Sequence, residues 1–293
     1  MVRKLLVLFG VVFSASSIPS GMMGEMREKR MKEAHAAADC IVQRIAREAT
    51  GGKTAGYLFV PAGKTDTPFP AVVALHGGFA YDPIRADRAA EREGQNFAAR
   101  LCPLGFVVFS VDYRWSAFGL EEMEDVAGAF DYLITRPEVN PERIAVAGGS
   151  HGGYMATMAV LSPKYRRPFA VAVNLYGFVD IADLVNSPRE QNNPQVQLTV
   201  QQLGTPAANP NAYREISPRY QVGNLNVPLL IVVGTRDQFL RQLRAFSADL
   251  KKAGKDYEYH EVPGAPHGFA KGHGPYTTML WKYVIAFLKA RLK

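Results

Sequence analysis

Residues 143–160 carry the densest chemical signal in the chain: Arg143-Ile-Ala-Val-Ala, then Gly148-Gly149-Ser150-His151-Gly152-Gly153, then an apolar-rich run to Val160. They read as a strand, a sharp turn and a helix, with Gly-x-Ser-x-Gly at the turn. A serine forced onto such a turn needs glycines at 148 and 152, where side chains would collide with the adjoining strand and helix. Its hydroxyl then projects at the C-terminal edge of a sheet, and the N–H groups that open the helix favour negative charge developing beside it. The chemistry is nucleophilic attack on an acyl carbon. A serine hydroxyl attacks only if a base takes its proton, and the base needs an acid behind it to fix its tautomer.

The expected chain order is serine, acid, histidine. Asp237 follows the apolar run Leu229–Val233 in Gly-Thr-Arg-Asp, and His267 follows Tyr257–Val262 in Pro-Gly-Ala-Pro-His-Gly-Phe. Asp180, Asp183, His260 and His273 are weaker rivals: the two aspartates follow an earlier strand, His260 falls inside a predicted strand, and His273 sits six residues after His267 in a Gly-rich turn. Two N–H donors are needed for the oxyanion of the tetrahedral intermediate. The residue after the serine, His151, supplies one. The loop His76-Gly77-Gly78-Phe79 supplies the other, from Gly78 first and Phe79 second, with the His76 imidazole organising that loop. Tyr81, Trp115, Tyr154, Tyr176 and Phe269 are candidates to line a substrate pocket at the mouth.

These residues need a scaffold of strand ends. Short apolar or β-branched runs at Tyr57–Val60, Ala71–Ala74, Phe106–Asp112, Ile144–Ala147, Ala170–Leu175, Leu229–Val233 and Tyr257–Val262 alternate with helical patterns. The helices are predicted at Arg85–Leu101, Glu121–Thr135, Gly152–Leu161, Phe239–Ala253 and Tyr276–Leu292. That alternation predicts an α/β fold, a mostly parallel sheet with helices on both faces. Residues 176–227 break it; a Pro- and Asn-rich stretch of that length reads as a lid-like insertion, with a short helix near Gln195–Leu203. The catalytic unit spans 53–293. Ahead of it, Met31, Ala34, Ala38, Ile41, Val42, Ile45 and Ala49 recur at helical spacing, so residues 21–52 are expected to hold an amphipathic helix.

The 293 residues are 47% hydrophobic and 21% charged, which fits a globular chain with a single large core and excludes disorder. The net charge of +7 is spread along the sequence, with no basic block beside an aromatic strip, and nucleic-acid binding is not expected. Two cysteines, Cys40 and Cys102, exclude a disulfide scaffold and a four-cysteine zinc site. They are compatible with one disulfide or with two separate thiols. The chemistry requires no metal and no organic cofactor. Arg3 and Lys4 precede the apolar run Leu5–Phe13 and a small polar stretch from Ser14, the order of a signal peptide within residues 1–20. That run is too short to span a bilayer, so a secreted or periplasmic location is expected and stable membrane insertion is not.

Gly-Gly-Ser-His-Gly-Gly-Tyr, His-Gly-Gly, Gly-Thr-Arg-Asp and Pro-His-Gly-Phe together resemble the α/β-hydrolase superfamily, and within it the catalytic domain of the prolyl oligopeptidase group. The serine motif is similar to that of acylaminoacyl peptidases. Val111-Asp112-Tyr113-Arg114 resembles a strand end of small carboxylesterases that supports the oxyanion loop. The resemblance covers Gly56 to Lys293 and implies Ser150, Asp237 and His267 as the triad. Prolyl oligopeptidases carry a β-propeller ahead of this domain, and His76 stands where that family often has an oxyanion tyrosine. These departures direct the expectation to a serine carboxylesterase acting on small-molecule or carbohydrate esters. The alternative is a serine exopeptidase or acylaminoacyl-type peptidase of the prolyl oligopeptidase group, with Glu190 or Glu215 as candidates to hold a free amino terminus.

Overall fold

The computed structural model describes residues 40–63, 67–78 and 83–292. The expected leader at 1–20 lies outside them, as do residues 21–39 of the expected N-terminal helix. The described part of that segment corrects the expectation: Cys40–Ile45 is a strand, β1, followed by a short 3-10 turn at Arg47–Thr50. Ile41 and Val42 have the right spacing for a helix face, yet they are 62% and 48% exposed. What fixes β1 is its antiparallel pairing with β2 (Gly56–Pro61) from Cys40 opposite Pro61 to Ile45 opposite Gly56. Tertiary pairing overrides a weak local period. A disulfide joins Cys40 to Cys102 with their Cα atoms 6.1 Å apart, pinning β1 to the turn that follows the first helix.

The remaining strands are β3 (Phe69–Leu75), β4 (Val107–Val111), β5 (Val139–Gly149), β6 (Val171–Leu175), β7 (Leu229–Gly234) and β8 (Tyr257–Val262). They form one eight-stranded sheet in the order β1-β2-β4-β3-β5-β6-β7-β8. Pairing is antiparallel at β1/β2 and β2/β4 and parallel from β4 to β8. The central strands are buried throughout, as Val, Ala, Leu and Ile runs covered on both faces should be.

Helices α1 (Pro83–Leu101), α2 (Glu121–Leu133), α3 (His151–Leu161), α7 (Leu240–Lys252) and α8 (Pro275–Arg291) occupy the predicted positions. Chain order explains their layering. From β3 the chain crosses one way to β4, then returns past β3 to β5, so right-handed crossovers put α1 and α2 on opposite faces. α1 and α8 share a face, where Phe97 meets the edge of Trp281 at 4.9 Å between ring centroids. α3 is buried along its whole length, which its glycines and alanines permit by letting it lie close to the sheet. The insertion holds α4 (Ile181–Val185), α5 (Pro194–Leu203), α6 (Pro210–Glu215) and a 3-10 segment at Pro218–Asn224. α5 falls where the short helix is expected, and Asn193 caps it by accepting the Gln195 N–H.

Candidate active site

The reversal of chain direction makes β3 and β5 neighbours whose outgoing loops diverge, and ligand crevices of open α/β sheets form at that point. The loop after β3 begins at His76, and the loop after β5 is Ser150. Ser150 adopts φ 58° and ψ −119°, a left-handed conformation for a non-glycine residue. Such a conformation costs about 1–3 kcal/mol and persists only where the surroundings impose it. Here Ser150 N–H donates to Leu175 O on β6 at 2.9 Å, and Ser150 O accepts the Tyr154 N–H at 3.0 Å. The glycine requirement at 152 is steric: a Cβ there would lie 2.0 Å from Leu75 O of β3. At 148 it would lie 2.6 Å from both Leu75 O and the Gly152 backbone.

Asp237 and His267 meet Ser150 from the ends of β7 and β8. His267 Nε2 is 2.9 Å from Ser150 Oγ, and His267 Nδ1 is 2.8 Å from Asp237 Oδ2. The Asp237 carboxylate is buried and its other oxygen accepts the Phe239 N–H at 2.8 Å. With Nδ1–H committed to Asp237, the lone pair of Nε2 faces the serine hydroxyl, the tautomer a general base needs. The edges of Tyr176 and Phe239 close on the imidazole at 5.1 and 5.3 Å, limiting its rotation. Nothing in the sequence marks Phe239, the start of a predicted helix, as part of the site, since an aromatic two residues after an aspartate carries no motif.

The loop after β3 comes against the elbow: a Cβ on Gly77 would meet Gly149 O at 2.7 Å and Ser150 Cβ at 3.1 Å. Gly78 follows at φ 87°, a conformation that suits glycine. Phe79, the second candidate donor there, and Tyr81 lie outside the described residues. His76 is buried and stacked on Tyr113 at 4.0 Å, with Nδ1 2.9 Å from Tyr113 Oη. Tyr113 O–H donates to His76 O at 2.7 Å. Burial pushes the His76 imidazole down to about 3, so the ring is neutral and structural.

The candidate pocket aromatics divide. Trp115 is 40% exposed on the loop after β4. Tyr154 is a correction: it is fully buried, and its hydroxyl donates to Ile216 O at 3.0 Å, so it is a core residue joining α3 to the insertion. A groove of about 600 Å³ lined by Met158, Tyr165, Ile216 and Tyr220 opens beyond it on the flank of α3. Tyr176 and Phe269 are also buried and pack on each other at 5.2 Å, behind the histidine loop rather than at an opening. Tyr176 Oη accepts the Ala270 N–H at 3.3 Å. The rivals for the triad are engaged elsewhere. Asp180 caps α4 by accepting the Asp183 N–H, Asp183 binds Arg241 and Gln242, and His260 stacks on Tyr283 at 4.0 Å. Among the described residues no group of three or more His, Cys, Asp or Glu side chains is placed to hold a metal ion.

A strained serine, a half-buried histidine bonded to it with a buried aspartate behind, and a glycine loop alongside, all at the switch point of a mostly parallel sheet, make the arrangement of a serine nucleophile with its base and acid on the α/β-hydrolase fold. The sequence pattern of the prolyl oligopeptidase family matches residues 98–293, and the chain belongs to that family. It is 29% identical over 222 residues to esterase LipC of Mycobacterium tuberculosis, covering 69% of this chain and 53% of LipC. The chain thus spans about half the length of that curated relative. Acylaminoacyl peptidase from Pyrococcus horikoshii superposes with a TM-score of 0.69 at 19% identity, over 87% of this chain and 42% of that one. Esterase B from Lactobacillus rhamnosis superposes with a TM-score of 0.68 at 14% identity, over 92% and 94%. Both likenesses are of fold.

Proposed function

We propose that this protein is a serine carboxylesterase acting on small-molecule esters, carbohydrate esters among them. The observation that carries the reading is the continuous relay Ser150–His267–Asp237, with contacts of 2.9 and 2.8 Å. In the first half-reaction His267 Nε2 takes the Ser150 proton as Oγ bonds to the ester carbonyl carbon. The carbonyl oxygen becomes an oxyanion, received by the His151 N–H and a donor of the Gly78–Phe79 loop. Collapse of the intermediate breaks the bond to the alcohol oxygen, which leaves with the proton from His267. Water then repeats the sequence on the acyl-enzyme and releases the acid.

An ester is favoured over an amide because an alkoxide leaves more readily than an amine, and the relative LipC is named an esterase. Membership of the prolyl oligopeptidase family favours a second reading, a serine exopeptidase or acylaminoacyl-type peptidase. The exopeptidase would need an acid to hold a free amino terminus, which an acylated one does not; of the two candidates, Glu190 accepts from Asn193 and Glu215 is exposed at the end of α6.

We also propose export, on the basic-then-apolar order of residues 3–13 and on the Cys40–Cys102 disulfide, which suits an oxidising compartment. N-terminal sequencing of protein recovered from outside the cytoplasm tests it; an intact Met1 would refute cleavage. The enzymatic readings separate on p-nitrophenyl esters of two, four and eight carbons against alanyl and prolyl p-nitroanilides, with wild type and Ser150→Ala side by side. Ester turnover abolished in the variant, with slow or absent anilide cleavage, is expected. Faster anilide than ester cleavage would move the protein to the peptidases, and ester turnover undiminished in Ser150→Ala would overturn the serine mechanism.

A further inference from the structure

The side chain of His151, next to the serine, is enclosed on every side by a network that the triad does not use. Its Nε2 lies 3.0 Å from Glu122 Oε2. Tyr154 and Phe178 stack on the ring at 5.9 and 6.1 Å, and Phe118 and Tyr113 set their rings perpendicular to it at 5.4 and 5.7 Å. Glu122, in the first turn of α2, is 0% exposed. Its Oε1 accepts the Gly119 N–H at 3.0 Å, its Oε2 accepts Gln195 Nε2–H at 2.9 Å, and its own N–H donates to Ser116 Oγ at 3.2 Å. Gln195 belongs to α5 of the insertion and donates to Ser116 O as well, at 2.9 Å.

A carboxylate removed from water is costly unless its lone pairs are used, so a chain that buries one here requires a fixed arrangement of its partners. The consequence falls on one peptide plane. The direction of the His151 N–H is set by ψ of Ser150, which at −119° accompanies the strained φ of 58°. A strained dihedral relaxes unless the residues on both sides are held. Leu175 holds Ser150 from one side through its carbonyl, and Glu122 holds His151 from the other through its ring.

We propose that Glu122 is a positioning residue for the oxyanion donor: by fixing the His151 side chain it keeps the 150–151 peptide N–H aimed at the oxyanion, and Gln195 ties the insertion to the same carboxylate. The inference rests on the reading of Ser150 as nucleophile and His151 N–H as donor. It gives the insertion a second route of influence on turnover besides contact with substrate, since a shift of α5 is felt at the oxyanion through the Gln195–Glu122 hydrogen bond and the 3.0 Å contact of Glu122 with the His151 ring.

The test compares wild type, Glu122→Leu, Glu122→Gln, Gln195→Leu and Ser150→Ala on p-nitrophenyl acetate for kcat and KM. Thermal midpoints and the rate of Ser150 phosphonylation by a fluorophosphonate are measured in parallel. The phosphonyl oxygen uses the same donors as the ester oxyanion, so it reports their alignment without depending on deacylation. Removing one oxyanion donor outright costs about 10²–10³-fold in kcat, so misaligning it in Glu122→Leu is expected to cost about 10–100-fold, with KM within about threefold and phosphonylation slowed in parallel. Gln195→Leu is expected to lose about threefold to tenfold in the same two rates, as the milder disturbance.

Glu122→Gln keeps the size of the side chain and the bond to the Gly119 N–H, but turning the Gln195 amide to accept from it would cost the Gln195 bond to Ser116 O, so it is expected to recover part of the loss, with rates between those of Glu122→Leu and wild type. A folded Glu122→Leu with both rates within twofold of wild type overturns the inference, and so does a rise in KM at unchanged kcat. Should Glu122→Leu fail to fold, Gln195→Leu decides by the same two readouts. If Ser150→Ala kept its ester turnover the serine reading itself would fall; if Ser150→Ala is dead and the Glu122 and Gln195 variants match wild type, only this inference does.

Discussion

His76 and Asp112 follow the neighbouring strands β3 and β4, and burial shifts their protons in opposite senses. The folded chain refuses a proton to His76 down to about 3, whereas the unfolded chain accepts one below about 6.5. Between those values the unfolded state binds more protons, so the His76 contribution to stability is complete above about 6.5 and is lost progressively as pH falls toward 3. Asp112 is pushed up to about 6 by burial, with Asp87 adding repulsion, so the folded chain holds its proton longer than the unfolded one. Its contribution is lost as pH rises from about 4 to 6. In the wild type the two slopes oppose each other. The difference in thermal midpoint between wild type and His76→Asn isolates His76 and is expected to shrink from pH 7 to pH 4.5. A constant difference would show that the ring is not held neutral.

In the proposed mechanism Asp237 acts only through His267, whose Nδ1 lies 2.8 Å from its carboxylate. Asp237→Asn can donate to Nδ1 instead, which turns the proton to Nε2 and leaves no lone pair for the serine. A kcat loss of about 10⁴-fold with a folded protein is expected from steady-state kinetics and thermal denaturation together, and a loss under tenfold would refute the role. That Ser150, His267 and Asp237 would meet was legible in the sequence because each lies on the loop after a strand and their order is constrained. Glu122 was not. It sits in Glu121-Glu122-Met-Glu124-Asp125, which reads as a solvated acidic first turn complementing the helix dipole, and only packing separates the buried members from the exposed ones. Tyr154 misleads for a related reason: proximity to the serine in sequence placed it at the mouth, but one helical turn carries it under the insertion.

At the scale of elements, the parallel strands and their helices declare themselves by continuous apolar runs and by period, while β1 does not. Its residues alternate between no clear faces, and only its two ends, Cys40 and Ile45, are buried. What holds it is non-local: the ladder to β2, the disulfide to Cys102, and Arg44 donating to Asp87 on α1 at 2.9 Å. The disulfide closes a span of 62 residues, for which loop-closure entropy in the unfolded chain gives about 4 kcal/mol. The double variant Cys40→Ser/Cys102→Ser is therefore expected to unfold at a markedly lower temperature or denaturant midpoint. β1 lies at the opposite end of the strand order from β7 and β8, which carry Asp237 and His267, so kcat and KM at 25 °C should stay within about twofold. Unchanged stability would mean the bond contributes nothing beyond the ladder; lost activity in folded protein would mean that β1 reaches the site.

On the scale of the molecule, the question is whether residues 176–227 move as a lid or belong to the core. The composition of the segment, rich in Pro and Asn, suggested an insertion without a core of its own, and that much was readable; how it is attached was not. Val196, Tyr213, Val222 and Leu225 are buried in the same continuous cluster as the sheet. Polar bonds fasten it at several points: the Phe118 N–H donates to Thr199 Oγ1 at 3.2 Å, the Tyr154 hydroxyl to Ile216 O at 3.0 Å, and the Val179 N–H to Gln242 Oε1 at 3.0 Å. Lifting the segment would break these bonds and expose those side chains together, at about 25 cal/mol for each Å² of apolar surface. An interface-activated lid needs the opposite design, few bonds and an apolar underside that is easily uncovered. Turnover of p-nitrophenyl butyrate and of tributyrin is therefore expected to rise smoothly through the solubility limit, with no jump when droplets or micelles appear. Thermal unfolding should show one transition, in which activity, near-ultraviolet circular dichroism and protection of α5 from hydrogen exchange are lost together. A jump at the solubility limit, or loss of α5 protection well below the main transition, would mean that the insertion opens as a unit of its own, and the link from Gln195 to Glu122 would then switch with it.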